Sequence, residues 1–141
     1  MYLLDTNVIS ELRKRKPHGA VSAWIQSLRD QDIQVPAVAI AELQNGAEIT
    51  RRQDREKADE LEQWIDRIMA TFVVLPMDGS MFRDWARLMR GKSDDLTADA
   101  MIAATARAHR LIVATRNLKD FAPFDVQVFN PFTGSPAQQR H

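Results

Sequence analysis

Apolar residues along this chain follow two alternating periods. Short unbroken apolar runs are separated by longer stretches in which apolar side chains return every three or four positions. Tyr2–Leu4 is the first short run, and Val8, Ile9 and Leu12 form the first helical set, closed by the basic residues 13–16 and Pro17. Val21, Trp24, Ile25 and Leu28 stand at i, i+3, i+4 and i+7, which predicts an amphipathic helix. Residues 33–35 predict a strand, and Pro36 marks the change into the helical AVAIAELQNGAEI. The charged stretch 51–62 runs into Leu61, Trp64, Ile65, Ile68 and Met69, a further helix. After a strand at 72–75, Met81, Trp85, Leu88 and Met89 predict a helix that stops near Gly91. Thr97 opens a helix reaching His109, and 111–114 and 126–129 are the last predicted strands. The closing NPFTGSPAQQRH has turn formers and no period; one domain over 1–131 is expected, with a loose tail at 132–141. Strands alternating with helices from end to end predict the α/β class, with a mostly parallel sheet covered on both faces.

Composition narrows the chemistry. A chain of 141 residues, 45% hydrophobic and 27% charged, is ordinary for one globular domain and needs no covalent staple. Cysteine is absent, which excludes disulfides, thiolate metal sites and cysteine nucleophiles and points toward a reducing compartment. His18, His109 and His141 lack metal-ligand spacing. Nineteen basic and nineteen acidic residues give a net charge of +0. A protein holding nucleic acid by its overall field would be basic, so any polyanion must be met locally, by a basic patch or a bound metal. MYLLDTNVIS reaches an acid at residue 5, too early for a signal-peptide core, and no apolar run approaches the ~20 residues that span a bilayer. The expectation is a soluble cytoplasmic protein with no membrane partner.

In a parallel sheet, ligands collect outside the carboxyl ends of the strands. Asp5 follows the first strand, Glu42 lies early in the helix after the second, and Asp99 opens the helix feeding the strand at 111–114. Thr115, Asn117 and Asp120 follow that strand. Each acid has an ordinary alternative: Asp5 a helix cap, Asp99 a partner of the helix dipole, Glu42 an exposed side chain, Asp120 a turn residue. Together they predict a cluster. Clustered carboxylates repel one another unless protonated or bound to a cation, and an oxygen-only donor set suits Mg²⁺ or Mn²⁺. Such an ion favours attack of water on a phosphodiester. The basic runs 13–16 and 51–57, with Arg13, Lys14, Arg51 and Arg52 foremost, are candidate RNA-backbone contacts, or simply solvated faces.

YLLDTNVISEL, AELQNGAE, TADAMIAATARAHRLIVATRNLKDF and VQVFNP, in this order and spacing, resemble the PIN-domain ribonucleases, within them the VapC-type toxins of the FitB and plasmid-stability StbB-like branch. The resemblance spans residues 2 to about 131. It implies a three-layer α/β/α PIN-like domain and Mg²⁺- or Mn²⁺-dependent endoribonuclease activity. It implies Asp5, Glu42 and Asp99 as metal-binding acids, with Thr6 and Asn7 orienting Asp5 and with Thr115 in support. Many relatives carry an acid where this chain has Asn117; in the FitB-like branch the Asp before Phe serves instead, here Asp120, which ranks above Asn117. Further implications are a cognate antitoxin partner, operator DNA bound only through that antitoxin, and a homodimer.

Two other classes stay open at this level. One is a non-catalytic PIN-like subunit in an antitoxin-containing repressor complex, which Asn117 favours and the intact acid set opposes. The other is a different Mg²⁺-dependent enzyme; the second Asp of an aspartyl phosphatase is replaced by Asn7, and no Gly-rich P-loop occurs.

Overall fold

A computed structural model of the chain describes residues 1–136. Its strands are β1 (Tyr2–Leu4), β2 (Ile33–Pro36), β3 (Val73–Leu75), β4 (Ile112–Ala114), β5 (Val128–Asn130) and β6 (Ser135–Pro136). The helices are α1 (Thr6–Leu12), α2 (Gly19–Gln26), α3 (Ala37–Arg51), α4 (Arg55–Thr71), α5 (Gly79–Met89), α6 (Thr97–His109) and α7 (Leu118–Phe121). The strand order is β3-β2-β1-β4-β5-β6. The first five strands are mutually parallel, which requires the helical crossovers between them, and β6 runs antiparallel to β5. The order reverses between β1 and β4, so the crevice beyond their carboxyl ends is where such a sheet opens to a ligand.

Side-chain alternation divides the core. Leu3 and Leu4 are both fully buried and belong to clusters on opposite faces of the sheet. Leu3 packs with α6 and with Phe121 and Phe124; Leu4 packs with Val8, Ile9, Val21 and Ile68 from α1, α2 and α4. In α6 the buried face is built from Ala100, Ala103, Ala104 and Ala106, whose small side chains let the helix lie close to its neighbours. Helices thus cover both faces, as the alternating periods predict. Among the described residues no helix is long and apolar enough to cross a membrane.

The charged stretch after α3 is broken rather than continuous. Residues 52–54 turn the chain, and Asp54 caps α4 by accepting the Lys57 N–H at 3.0 Å. Arg51 then bridges the two helices, donating to Asp59 at 2.8 Å, to Glu48 at 3.3 Å and to Glu62. Each tryptophan has intramolecular work. Trp24 stands edge-on to Tyr2 with ring centroids 4.9 Å apart, Trp64 packs against the cluster around Leu4, and the Trp85 indole N–H donates to the Thr97 carbonyl at 3.1 Å.

Residues 132–136, expected to belong to a loose tail, continue the fold. Asn130 accepts the Phe132 N–H on its side chain and the Gly134 N–H on its carbonyl, and Gly134 takes the positive φ of 75° that closes the turn into β6. Phe132 is 8% exposed, packs with the Leu4 cluster and meets the His18 ring edge-on. The remainder of the expected tail, 137–141, lies outside the described residues. Phe132→Ala is expected to cost about 3 kcal/mol, the low end for a buried phenylalanine, and to lower Tm by roughly 10 °C. A thermal melt checks this; an unchanged Tm would restore the boundary at 131.

Candidate active site

Asp5 occupies the first position after β1, and its backbone N–H donates to the Ala114 carbonyl at the end of β4 at 2.9 Å. That register sets Asp5 beside Thr115. Asp5 is 5% exposed, and a carboxylate so buried is costly unless its oxygens are satisfied. Three donors do this: the Thr6 N–H to Oδ1 at 2.8 Å, the Asn7 side-chain amide to Oδ2 at 3.0 Å, and the Thr115 hydroxyl to Oδ2 at 2.7 Å. Asp5 therefore also caps α1, so its ordinary role and its place in the cluster coexist. Burial raises its pKa above the usual carboxylate value and the charge of Glu42 adds to this, while the three hydrogen bonds pull the other way.

Glu42 projects from the second turn of α3 and is exposed. Its Oε1 accepts the Thr6 hydroxyl at 2.5 Å. The Thr6 side chain thus holds Glu42, and only the Thr6 backbone orients Asp5, a division of labour the resemblance does not foretell. Asp99, in the first turn of α6, is half-buried. Its pKa is pushed up to about 7, first by burial and then by the charges of Asp5, Asp120 and Glu42. Asp120 belongs to α7, the short helix just past β4, and is half-buried. Asp5, Glu42 and Asp120, from segments far apart in the chain, are thus brought within electrostatic reach of Asp99.

Asn117 is exposed and joins the site through its backbone N–H, which donates to the Thr115 hydroxyl oxygen at 2.9 Å. Arg116 has no prior signal beyond its place in TRN. Its N–H donates to Asn7 Oδ1 at 3.2 Å, fixing the amide that holds Asp5, and its guanidinium lies 3.7 Å from the centre of the Phe132 ring. The basic candidates do not assemble as a set. Arg51 is committed to the α3–α4 bridge and Lys14 pairs with Glu11 at 2.9 Å, whereas Arg13 lines a cleft that Thr6 and Glu42 also line. Arg52 is exposed beyond the far end of α3.

The donor chemistry fits a hard divalent cation. The cluster offers only oxygens, its mutual repulsion is felt at Asp99, and none of the four acids is ion-paired with Lys or Arg among the described residues. Nor, among the described residues, do three acids converge into a ready-made cage.

Comparison with known proteins defines the class. The PIN-domain family model matches residues 2–125. The chain belongs to the PIN-domain family. It is 38% identical over 139 residues to the toxin FitB of Neisseria gonorrhoeae, covering 94% of this chain and 99% of that one. It is 36% identical to a VapC ribonuclease of Sinorhizobium fredii and 34% to the plasmid stability protein StbB of Pseudomonas syringae, each across 94% of this chain and 98% or 99% of the relative. Among solved structures, FitAcB from N. gonorrhoeae superposes with a TM-score of 0.82 at 37% identity, covering 94% of this chain and 99% of that one. FitAB bound to a DNA fragment gives 0.81 at 36%, with 94% and 96% covered.

Because the folded chain keeps a proton on Asp99 up to about pH 7, while the unfolded chain releases it near 3.8, the acid cluster weakens the metal-free fold as pH rises through that window. In EDTA, Asp99→Asn is expected to melt above the wild type at about pH 8, by roughly 3 °C for each kcal/mol of repulsion removed, and to converge with it near pH 4. Differential scanning fluorimetry across pH measures the gap; a constant gap would show that Asp99 is not under this pressure.

Proposed function

We propose that the chain is a divalent-metal-dependent endoribonuclease and the toxin of a toxin–antitoxin pair. The placement of Asp5, Glu42 and Asp120 where their charges act on Asp99, with none of the four ion-paired to Lys or Arg among the described residues, carries this reading. The relatives support the remainder, one being named a toxin and another a ribonuclease, and the FitAB complex is bound to DNA. On this reading a cognate antitoxin binds the chain and links it to operator DNA, the active form is a homodimer, and RNA is cut in the cytoplasm.

Asp5 and Asp99 would hold Mg²⁺ or Mn²⁺ through oxygens, with Glu42 and Asp120 adding charge and binding water. Bound there, the ion makes a stronger nucleophile of water and offsets charge developing on the phosphodiester. The chain's own part is positional. Thr115 and Asn7 hold Asp5 in one rotamer, so the ligand is fixed before substrate arrives. The Thr6 hydroxyl does the same for Glu42. On this reading Asp120 rather than Asn117 serves as the fourth acid, which is supported by its charge acting on Asp99, while Asn117 contributes a backbone N–H to Thr115.

Asp5→Asn is expected to abolish RNA cleavage while melting in EDTA at or above the wild type, and Thr115→Val to weaken Mn²⁺ binding roughly 10- to 100-fold. Asp120→Ala should lower cleavage more than Asn117→Ala, with partial rescue by raised Mn²⁺; Asn117→Asp should tighten Mn²⁺ binding. Cleavage assays with Mn²⁺ titration test all four. Wild-type cleavage by Asp5→Asn would favour the non-catalytic subunit instead.

Millimolar Mn²⁺ is expected to raise the Tm of the wild type by mass action, and by more at about pH 8 than at pH 5, because the ion takes the ionised carboxylates. An identical melting curve with and without Mn²⁺ would exclude the site.

A further inference from the structure

The neutral chain keeps an unneutralised cationic groove next to its acid cluster. A cleft of about 250 Å³ runs from Thr6 and Glu42, between α1 and α3, to Arg13, Leu61 and Trp64. A second cleft, about 360 Å³, shares Arg13, Leu61 and Trp64 and continues along α4 past Arg15, Lys57 and Arg67. The two therefore meet at Arg13 and Trp64. Four cationic side chains line the second cleft against one carboxylate, Glu60. None of the four is ion-paired among the described residues, and all are exposed, in contrast to Lys14 and Arg51.

Leaving several cations unpaired beside one another costs Coulomb energy unless a polyanion occupies the groove. The groove reaches Glu42 of the acid cluster, and Trp64 lies at the junction, where an indole face can take an unstacked base. Resting on the nuclease reading, we infer that a single strand of RNA runs from the acid cluster along α4, its phosphates met by Arg13, Arg15, Lys57 and Arg67 and one base by Trp64. Arg13, Arg15 and Lys57 fall within the two basic runs of the sequence, Arg13 foremost, whereas Arg67 lies outside both, further along the same helix as Lys57.

The test uses the full chain carrying Arg15→Glu, Lys57→Glu and Arg67→Glu together. These positions are exposed, and a glutamate at 57 sits in the first turn of α4, where the helix dipole favours it, so the fold is preserved. A control of equal charge change, Arg83→Glu, Arg87→Glu and Arg90→Glu, lies on or just after α5, across the sheet. The probe is a fluorescein-labelled single-stranded RNA of about 20 nucleotides, bound in Ca²⁺ and cleaved in Mn²⁺. The triple variant should flatten the slope of log affinity against log salt by about 2, from about 0.7 per lost phosphate contact. Its KM should rise roughly 10- to 100-fold with kcat within about twofold, and the control should match the wild type. Unchanged slope and KM, or an equal effect in the control, would overturn the groove. Loss of binding to polyglutamate with RNA binding intact would also overturn it, assigning the surface to an acidic protein segment. If the wild type cleaves no RNA, the nuclease reading fails on its own, and the binding slope still decides the groove.

Discussion

The site depends on one carboxylate being kept inside the sheet. Asp5 is almost fully enclosed, and removing an ionised carboxylate from water costs several kcal/mol unless hydrogen bonds replace the lost solvation. Its donors come from the next residue, from the first turn of α1 and from the end of β4, so β1, α1 and β4 must all be in register before the charge is tolerated. A slip of one residue in the β1–β4 pairing would send Thr115 to the other face and leave Asp5 Oδ2 short of a donor. Fold and chemistry are thereby coupled through a single pair of neighbouring strand ends.

Around that point the charges are sorted rather than mixed. Two arginines away from the site are engaged in structure. Arg51 joins α3 to α4, and Arg107 joins α6 to Asp84 of α5 at 2.9 Å while also donating to the Phe124 and Asp125 carbonyls. Among the described residues neither the acids at the sheet edge nor the cations of the groove along α4 form ion pairs. A net charge of +0 therefore conceals two local fields of opposite sign, one suited to a metal ion and one to a phosphate backbone.

The sequence by itself determined the alternation of strands and helices, because 3.6-residue and unbroken apolar patterns are local and survive in a single segment. It also marked Asp5, Glu42, Asp99 and Asp120 as candidates, each with an ordinary alternative, because they follow predicted strands or open predicted helices and stand in the motifs that carry the resemblance. Only the tertiary structure decided the details that set their chemistry. Whether a basic residue is spent or free depends on which helix faces it: Arg51 meets Asp59 and Glu62 across a turn, while Arg67 forms no ion pair among the described residues. The Thr6 hydroxyl turns to Glu42, 36 residues away, rather than to its neighbour Asp5. Phe132 enters the core because Asn130 reverses the chain and His18 and Arg116 offer it a surface. The raised pKa of Asp99 arises first from its burial and then from three carboxylates that reach it only through the sheet order. Hydrogen-bond choice, ion pairing and desolvation all act through distances between segments, and those distances exist only once the strands have paired.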